Sequence, residues 1–197
     1  MNILVTGGLG YIGSHACVAL MQAQHQVVIL DNLSNSKREK ASAIAAITGK
    51  APIVIEGDIR DAAVVERCFS AHAFDGVMHF AGLKAVGESV SDPIRYYDNN
   101  VHGSLVLFEA MSRHNVSKLV FSSSATVYGD PSTLPIREDA RLQPTNPYGR
   151  SKWMIEQILS DISAAEPPGS IAVLRYFNPV GAHESGMIGE DPNGIPN

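Results

Sequence analysis

The sequence predicts a doubly wound α/β domain, a parallel sheet flanked by helices on both faces. Three observations carry this prediction. Short apolar, β-rich runs alternate with longer amphipathic stretches along most of the chain. The apolar runs are continuous, which marks strands buried on both faces. A glycine-rich turn joins the first run to the first helical stretch. The chain has 197 residues, enough for one domain or at most about one and a half.

The elements follow in order. Asn2–Thr6 is the first strand, Tyr11–Gln24 the first helix, Gln26–Leu30 the second strand and Ser36–Thr48 the second helix. Pro52–Glu56 and Gly76–Phe80 are the third and fourth strands, with the helix Asp61–Ala71 between them. Asp61 suits the N-cap, and Val64, Val65, Cys68 and Phe69 share one face of that helix. A long helix, Pro93–His114, leads to the fifth strand, Lys118–Ser122, and Pro147–Ala165 leads to the sixth, Ser170–Tyr176. Five crossovers linking six strands give the doubly wound sheet.

Two segments break this rhythm. Gly129–Pro147 holds Pro131, Pro135, Pro144 and Pro147, and a loop that long inside a domain is usually functional. Pro179–Asn197 is rich in proline and glycine and offers no core element. A nucleotide-binding domain is therefore expected over residues 1–178, with 179–197 opening a second, substrate-binding lobe that the chain does not continue.

Fifteen Lys+Arg stand against 20 Asp+Glu, a net charge of −5, with no block of like charge. That argues against a general binder of nucleic acid or anionic membrane, since both need basic patches. With 45% hydrophobic and 18% charged residues, disorder is excluded. Cys17 and Cys68 have no metal-type spacing and read as small buried thiols in a reducing, cytoplasmic compartment. No basic, apolar leader and no run of 18 apolar residues is present, so neither signal peptide nor membrane span is expected.

The glycine turn reads Thr6-Gly7-Gly8-Leu9-Gly10-Tyr11-Ile12-Gly13. Glycines there allow a tight turn, close backbone approach to a pyrophosphate, and close helix–strand packing. The following helix N-terminus presents free N–H groups and a positive dipole end. The second strand runs into Asp31, 18 residues past Gly13. A carboxylate there can accept both adenosine ribose hydroxyls and repels a 2′-phosphate, which favours NAD over NADP. Lys37 and Arg38 lie close enough to soften that preference. Asp58, after the third strand, suits an adenine amino group or a helix cap. Phe80-Ala81-Gly82 ends the fourth strand with small residues beside the expected cofactor path.

Tyr148-Gly149-Arg150-Ser151-Lys152 follows Pro147 at a helix start. The i to i+4 spacing puts Tyr148 and Lys152 on one face. A free tyrosine has a pKa of about 10, and lowering it by three units takes roughly 4 kcal/mol. One ammonium at about 5 Å in an effective dielectric near 20 supplies about 3 kcal/mol. A nicotinamide cation can supply the remainder, so Tyr148 serves as a general base with Lys152 and oxidised cofactor in place. Ser124, at the end of the Ser122-Ser123-Ser124 run, can hold the reacting hydroxyl, because strand C-termini form the ligand edge of such sheets. His79 reads as a packed, hydrogen-bonded histidine, and no pair of histidines has metal-ligand spacing.

With these residues the chain resembles the extended short-chain dehydrogenase/reductase superfamily, which has a Rossmann-type fold, and within it the UDP-glucose 4-epimerases. The segments that carry the resemblance are Thr6–Ser14, Asp31-Asn32-Leu33, His79–Ser89, Tyr97–Asn100, Ser122–Gly129, Tyr148–Lys152 and Leu174–Gly181. The resemblance implies a redox-neutral cycle. Tyr148 takes the proton of the sugar O4 while C4 gives hydride to NAD+, the 4-keto sugar turns over, and hydride returns to the other face. UDP-glucose and UDP-galactose are thereby interconverted. By the same matching, Gly7, Gly10, Tyr11, Ile12, Gly13, Asp31, Asn32, Leu33, Ser34, Asn35, Ser36, Asp58 and Ile59 would line the NAD site. So would Phe80, Ala81, Gly82, Lys84, Asn99, Ser122, Tyr148, Lys152 and Phe177. Lys84, Ser124, Tyr148 and Asn178 would meet the UDP-hexose. Asn99 can equally cap a buried loop, and Phe177 can equally be core. A homodimer through the helices Pro93–His114 and Pro147–Ala165 is implied as well.

Three rival readings share the fold. A nucleotide-sugar 4,6-dehydratase needs an acid/base pair before Val-Tyr-Gly, typically Asp-Glu, where this chain has Ala125 and Thr126. A net dehydrogenase would release reduced cofactor each turn. A catalytically silent NAD-binding module is suggested by the chain's end at Gly194-Ile195-Pro196-Asn197, where the family continues into a smaller lobe. The expectation for these 197 residues is NAD binding with little turnover.

Overall fold

The computed structural model describes residues 1–165 and 169–191. Its centre is a six-stranded sheet in the order β3-β2-β1-β4-β5-β6, with every neighbouring pair parallel. The strands are β1 (Asn2–Thr6), β2 (Gln26–Asp31), β3 (Ile53–Glu56), β4 (Gly76–His79), β5 (Lys118–Ser124) and β6 (Ser170–Tyr176). The order reverses between β1 and β4, and the crevice outside the strand C-termini at such a switch point is where ligands bind.

Alternating residues of the strands feed two cores. Ile3, Val5, Val27 and Ile29 face α1 (Tyr11–Gln22) and α2 (Glu39–Thr48), and pack with Leu9, Cys17, Val18, Met21 and Ile44. Leu4, Val28, Leu30, Val77, Leu119 and Phe121 face the other way. They are covered by α3 (Ala62–Ala71), α6 (Gly103–Arg113) and α7 (Pro147–Ala165). The expected N-cap of α3 is present: Asp61 accepts hydrogen bonds from the amides of Ala63 and Val64. Both cysteines are buried free thiols on separate helices, α1 and α3. Among the described residues no helix is long and apolar enough to cross a membrane.

The stretch expected as one helix over 93–114 is built in pieces. α5 (Pro93–Tyr96) passes through a π-helical segment, Tyr97–His102, into α6. The wider π turn buries Asn99 and Asn100 side by side. A short helix, α4 (Val86–Ser91), and a 3-10 turn, Ala125–Tyr128, were not expected from the sequence. Residues 177–191 carry no helix or strand, yet they are docked: Ile188 is 2% exposed within the α1/α2 core, and the Tyr11 hydroxyl donates to the Gly181 carbonyl at 2.6 Å. The remainder of the expected second lobe, 192–197, lies outside the described residues.

Candidate active site

The glycine turn divides its work among three positions. Gly7 sits at φ +68°, and a Cβ there would lie 2.6 Å from the Ala81 nitrogen, so the turn rests directly on the chain leaving β4. At Gly13 a Cβ would lie 2.2 Å from the Gly7 carbonyl oxygen, so α1 is pressed onto the turn. Gly10 is the N-cap residue, makes no side-chain cap, and would bring a Cβ near only the Gly7 oxygen, at 3.2 Å. The first-turn amides of α1, from Tyr11, Ile12 and Gly13, are left without intrahelical acceptors by helix geometry.

Asp31 closes this turn from β2. Its carboxylate accepts from the Leu9 amide at 3.0 Å, the Leu33 amide at 3.0 Å and the Ser36 hydroxyl at 2.8 Å, and the residue is 7% exposed. Asn32 donates to Asp58 at 3.0 Å and accepts the Ser34 amide at 3.1 Å. Asp58 is gripped by Arg60 through the guanidinium at 2.8 and 2.9 Å and the backbone amide at 2.9 Å, which holds its carboxyl far below the ordinary range. Arg60 also reaches Asp98 at 2.7 Å, tying the β3 exit to the π segment. Lys37 and Arg38 pair with Asp191 and Glu56, at 2.7 and 2.8 Å. Ile59 is buried against Gly103 in the α3/α6 core.

Across the switch point, Phe80 and Ala81 lead to Gly82, where a Cβ would lie 3.3 Å from Asn100 Oδ1 and 3.4 Å from Lys152 Nζ. Asn100 is a fully engaged hub. Its Oδ1 accepts from the Leu83 amide at 2.8 Å and from Asn99 at 2.9 Å; its Nδ2 donates to the Leu83 carbonyl and the Ser151 hydroxyl, each at 3.0 Å. Lys84 pairs with Glu190 at 3.1 Å.

Ser124, Tyr148 and Lys152 converge beside this loop, at 8%, 9% and 5% exposure. Asn146 caps α7 by accepting the Gly149 amide at 2.8 Å. A Cβ on Gly149 would lie 2.9 Å from the Thr126 carbonyl, so the helix start abuts the turn that carries Ser124. The Ser124 hydroxyl accepts from the Thr126 amide at 3.2 Å and its hydroxyl at 3.0 Å. Burial pushes the Tyr148 phenol up, and its hydrogen bond with Ser124 offsets part of that. Lys152 lies one turn further along α7. Its ammonium donates to the Ser122 carbonyl at 2.8 Å, stands 4.9 Å from the Phe121 ring centre, and is pushed by burial down to about 8.

His79 is the packed histidine expected. Ser104 spends its proton on the Asn100 carbonyl at 2.5 Å, so His79 Nε2 donates to Ser104 at 2.9 Å and Nδ1 accepts from Thr6 at 2.6 Å. Burial drives this imidazole down to about 3. Phe177 is 59% exposed and stacks on Tyr128, and Asn178 is exposed on the same edge. Asn100, Ser151 and Arg175, which stand in the segments that carry the resemblance but were given no role of their own, and Glu156, which stands in none of them, make hydrogen bonds around these residues. The signal available for Glu156 was its position one turn beyond Lys152, and for Arg175 a charge inside an apolar strand.

The family described as "NAD dependent epimerase/dehydratase family" matches residues 3–193. A UDP-glucose 4-epimerase of Neisseria meningitidis serogroup C is 60% identical over 199 residues, covering 100% of this chain and 58% of the relative. That of Bacillus subtilis is 57% identical, again covering 58% of the relative. The crystal structure of UDP-glucose 4-epimerase from Bifidobacterium longum in complex with NAD+ and UDP superposes with a TM-score of 0.97 at 53% identity, over 100% of this chain and 59% of that one. The chain thus spans under three-fifths of the length of these relatives. On the match over nearly its whole length, the chain belongs to the NAD dependent epimerase/dehydratase family.

Proposed function

We propose that this chain forms the NAD-binding and proton-transfer part of a UDP-glucose 4-epimerase, which interconverts UDP-glucose and UDP-galactose. The observation that carries the reading is the convergence of Ser124, Tyr148 and Lys152 with Gly82 on the carboxyl edge of the sheet, next to the glycine turn. The donor set fits a dinucleotide. Gly10 leaves the α1 N-terminus open for phosphate, and Asp31 offers a buried carboxylate for ribose hydroxyls. Lys37 and Arg38 are engaged by acidic partners, which supports NAD over NADP.

Bound NAD would supply a hydride acceptor and donor at its nicotinamide. The chain's residues do the rest. Amides of Tyr11 and Ile12 and the Lys84 ammonium hold phosphate. Asp31 to Ser36, Asp58 and Ile59 enclose the adenosine end. Phe80 to Gly82, Asn99, Ser122 and Phe177 border the nicotinamide end, where Lys152 holds ribose. Ser124 orients the sugar hydroxyl, Tyr148 takes and returns its proton, and Asn178 and Lys84 meet the UDP-hexose. The protein is cytoplasmic, in keeping with its buried free thiols, and engages no nucleic acid. A second copy pairs through the apolar groove lined by Tyr97, Val101, Leu105 and Met154, of which Leu105 and Met154 are each 41% exposed.

Two measurements test the reading. Titrated with dinucleotides, the chain is expected to bind NAD+ at least tenfold more tightly than NADP+; equal affinities would overturn the cofactor assignment. In a protein carrying this chain within the full length of the relatives, Tyr148→Phe should lower UDP-galactose turnover far more than tenfold. Activity within tenfold would remove Tyr148 as the base. Robust turnover by the 197 residues alone would overturn the division of labour between this chain and a further lobe.

A further inference from the structure

Glu156 has no part in the chemistry above, yet it is a carboxylate at 7% exposure, two turns along α7 from Tyr148. A buried charge is tolerated only when its partners are well placed. Glu156 Oε1 accepts from the Ser123 hydroxyl at 2.5 Å and from Arg175 Nε at 3.1 Å. Its Oε2 accepts from Arg175 Nε at 3.2 Å and from Arg175 Nη2 at 2.7 Å. Arg175 spends Nη1 on the Tyr128 hydroxyl at 2.8 Å and the Glu138 carbonyl at 3.2 Å, and lies 5.0 Å from the Tyr128 ring centre. One ion pair therefore joins α7, the end of β5, the 3-10 turn, the long loop and β6.

The contacts also form a register. On β5 they fall on consecutive residues: the Ser122 carbonyl takes Lys152 and the Ser123 hydroxyl meets Glu156. On α7 the same partners stand at i and i+4. A slip of the helix by one residue advances it about 1.5 Å and turns it about 100°, which breaks both contacts at once. The next strand residue is Ser124, hydrogen-bonded to Tyr148. An apolar pair could fill this space, but non-directional packing would not choose one register. We propose that Glu156 and Arg175 are positioning residues: their pair locks α7 against β5, setting Tyr148 against Ser124, and fixes a negative charge one turn from Lys152.

The charges around Lys152 support the second half of this role. Glu156 and Tyr148 flank it on α7, neutral His79 faces it from β4, and Arg175 stands behind Glu156 on β6. Burial pushes Lys152 down and Glu156 opposes that push. The reaction role rests on the function proposed above, whereas the titration of Lys152 can be read without turnover.

The test uses Glu156→Gln, which keeps the shape, and Glu156→Gln combined with Arg175→Met, which removes the orphaned cation as well. Carbon-13 NMR titration of the lysine side chains should show the proton affinity of Lys152 falling at least threefold in Glu156→Gln. Turnover in a protein carrying the variant should show kcat down at least tenfold with KM within threefold. The double variant should recover much of the stability lost by the single one, yet Lys152 should still titrate below its position in the unaltered protein. A double variant with an unshifted Lys152 and unaltered kcat would overturn the proposal and leave a merely structural pair. Absence of turnover in the unaltered protein would remove the functional reading, while the Lys152 titration would still decide what the pair does to that lysine.

Discussion

Alanine placed at Gly13 and at Gly10 should do opposite things. At Gly13 the added methyl would meet the Gly7 carbonyl oxygen at 2.2 Å, the Gly8 Cα at 2.9 Å and the Gly7 carbonyl carbon at 3.0 Å. A carbon–oxygen contact needs roughly 3.3 Å, so α1 must shift from the turn by about 1 Å. All three obstacles are backbone, so the cost belongs at the upper end of overpacking, about 3 kcal/mol. At this chain length 1 kcal/mol moves Tm by about 2–4 °C, which gives a fall of about 6–12 °C. At Gly10 the backbone is at φ −70°, ψ 179°, open to any residue, and only the Gly7 oxygen comes within 4 Å, at 3.2 Å. Alanine there should cost less than about 1 kcal/mol of stability. It places a methyl at the helix N-terminus where phosphate is proposed to sit, so NAD+ affinity should fall at least tenfold. Calorimetric melts and NAD+ titration of both variants check the pair. Gly13→Ala melting within about 2 °C of the unaltered protein would refute the close-packing argument. Unchanged NAD+ affinity in Gly10→Ala would refute the phosphate placement.

Asp31→Asn should lower NAD+ affinity at least tenfold and cost about 1–3 kcal/mol in urea unfolding. The amide end turns a donor toward one of the Leu9, Leu33 and Ser36 donors that the carboxylate now accepts. Unchanged affinity would move the ribose contact elsewhere. His79 should make the protein acid-sensitive. Its folded pKa of about 3 lies below an unfolded value near 6.5. The unfolded chain binds the extra proton, so stability is complete above pH 6.5 and falls between pH 6.5 and 3. From pH 7 to 5 the loss is about 2 kcal/mol. Urea unfolding at the two pH values measures it, and His79→Gln should flatten the dependence.

The central strands were legible because sheet burial on both faces writes continuous apolar runs, and Asn2–Thr6 matches the structure at both ends. Ser170–Tyr176 matches too, but β6 is an edge strand whose apolar residues are largely exposed among the described residues, so the expectation of burial on both faces does not hold there. The glycine turn, Asp31 and the Tyr148–Lys152 spacing were legible because each is a local pattern whose geometry follows from one element. Val86–Ser91 was not, since Val-Gly-Glu-Ser-Val-Ser has neither helical propensity nor a clean periodicity. The π segment was invisible because Tyr97–His102 differs from an α-helix only in the hydrogen bonding that buries Asn99 and Asn100. Glu156 and Arg175 lie 19 residues apart and meet only once β6 has paired with β5 beneath α7. Ile188 lies in the proline- and glycine-rich segment for which the sequence predicts no core element. Its burial depends on the docking of 181–191 against the α1/α2 side, helped by the Lys84–Glu190 and Lys37–Asp191 pairs.

Burial sets the balance of the candidate base. It pushes Tyr148 up and Lys152 down, so it favours the neutral form of each. At pH 7 the phenol therefore holds its proton. The Ser124 hydrogen bond offsets part of the cost of phenolate. Lys152, with a pKa of about 8, remains largely charged at pH 7, and one of its three ammonium protons goes to the Ser122 carbonyl. An ammonium about 5 Å away in an effective dielectric near 20 is worth about 3 kcal/mol. That falls short of the roughly 4 kcal/mol needed from an ordinary tyrosine, and further short from a raised one. The site therefore keeps Tyr148 as an acid until more positive charge stands beside it. On the proposed function, a base armed only in the loaded site would leave untouched the hydroxyls that enter without the cofactor, and the proposed action of Glu156 on Lys152 would belong to the same control.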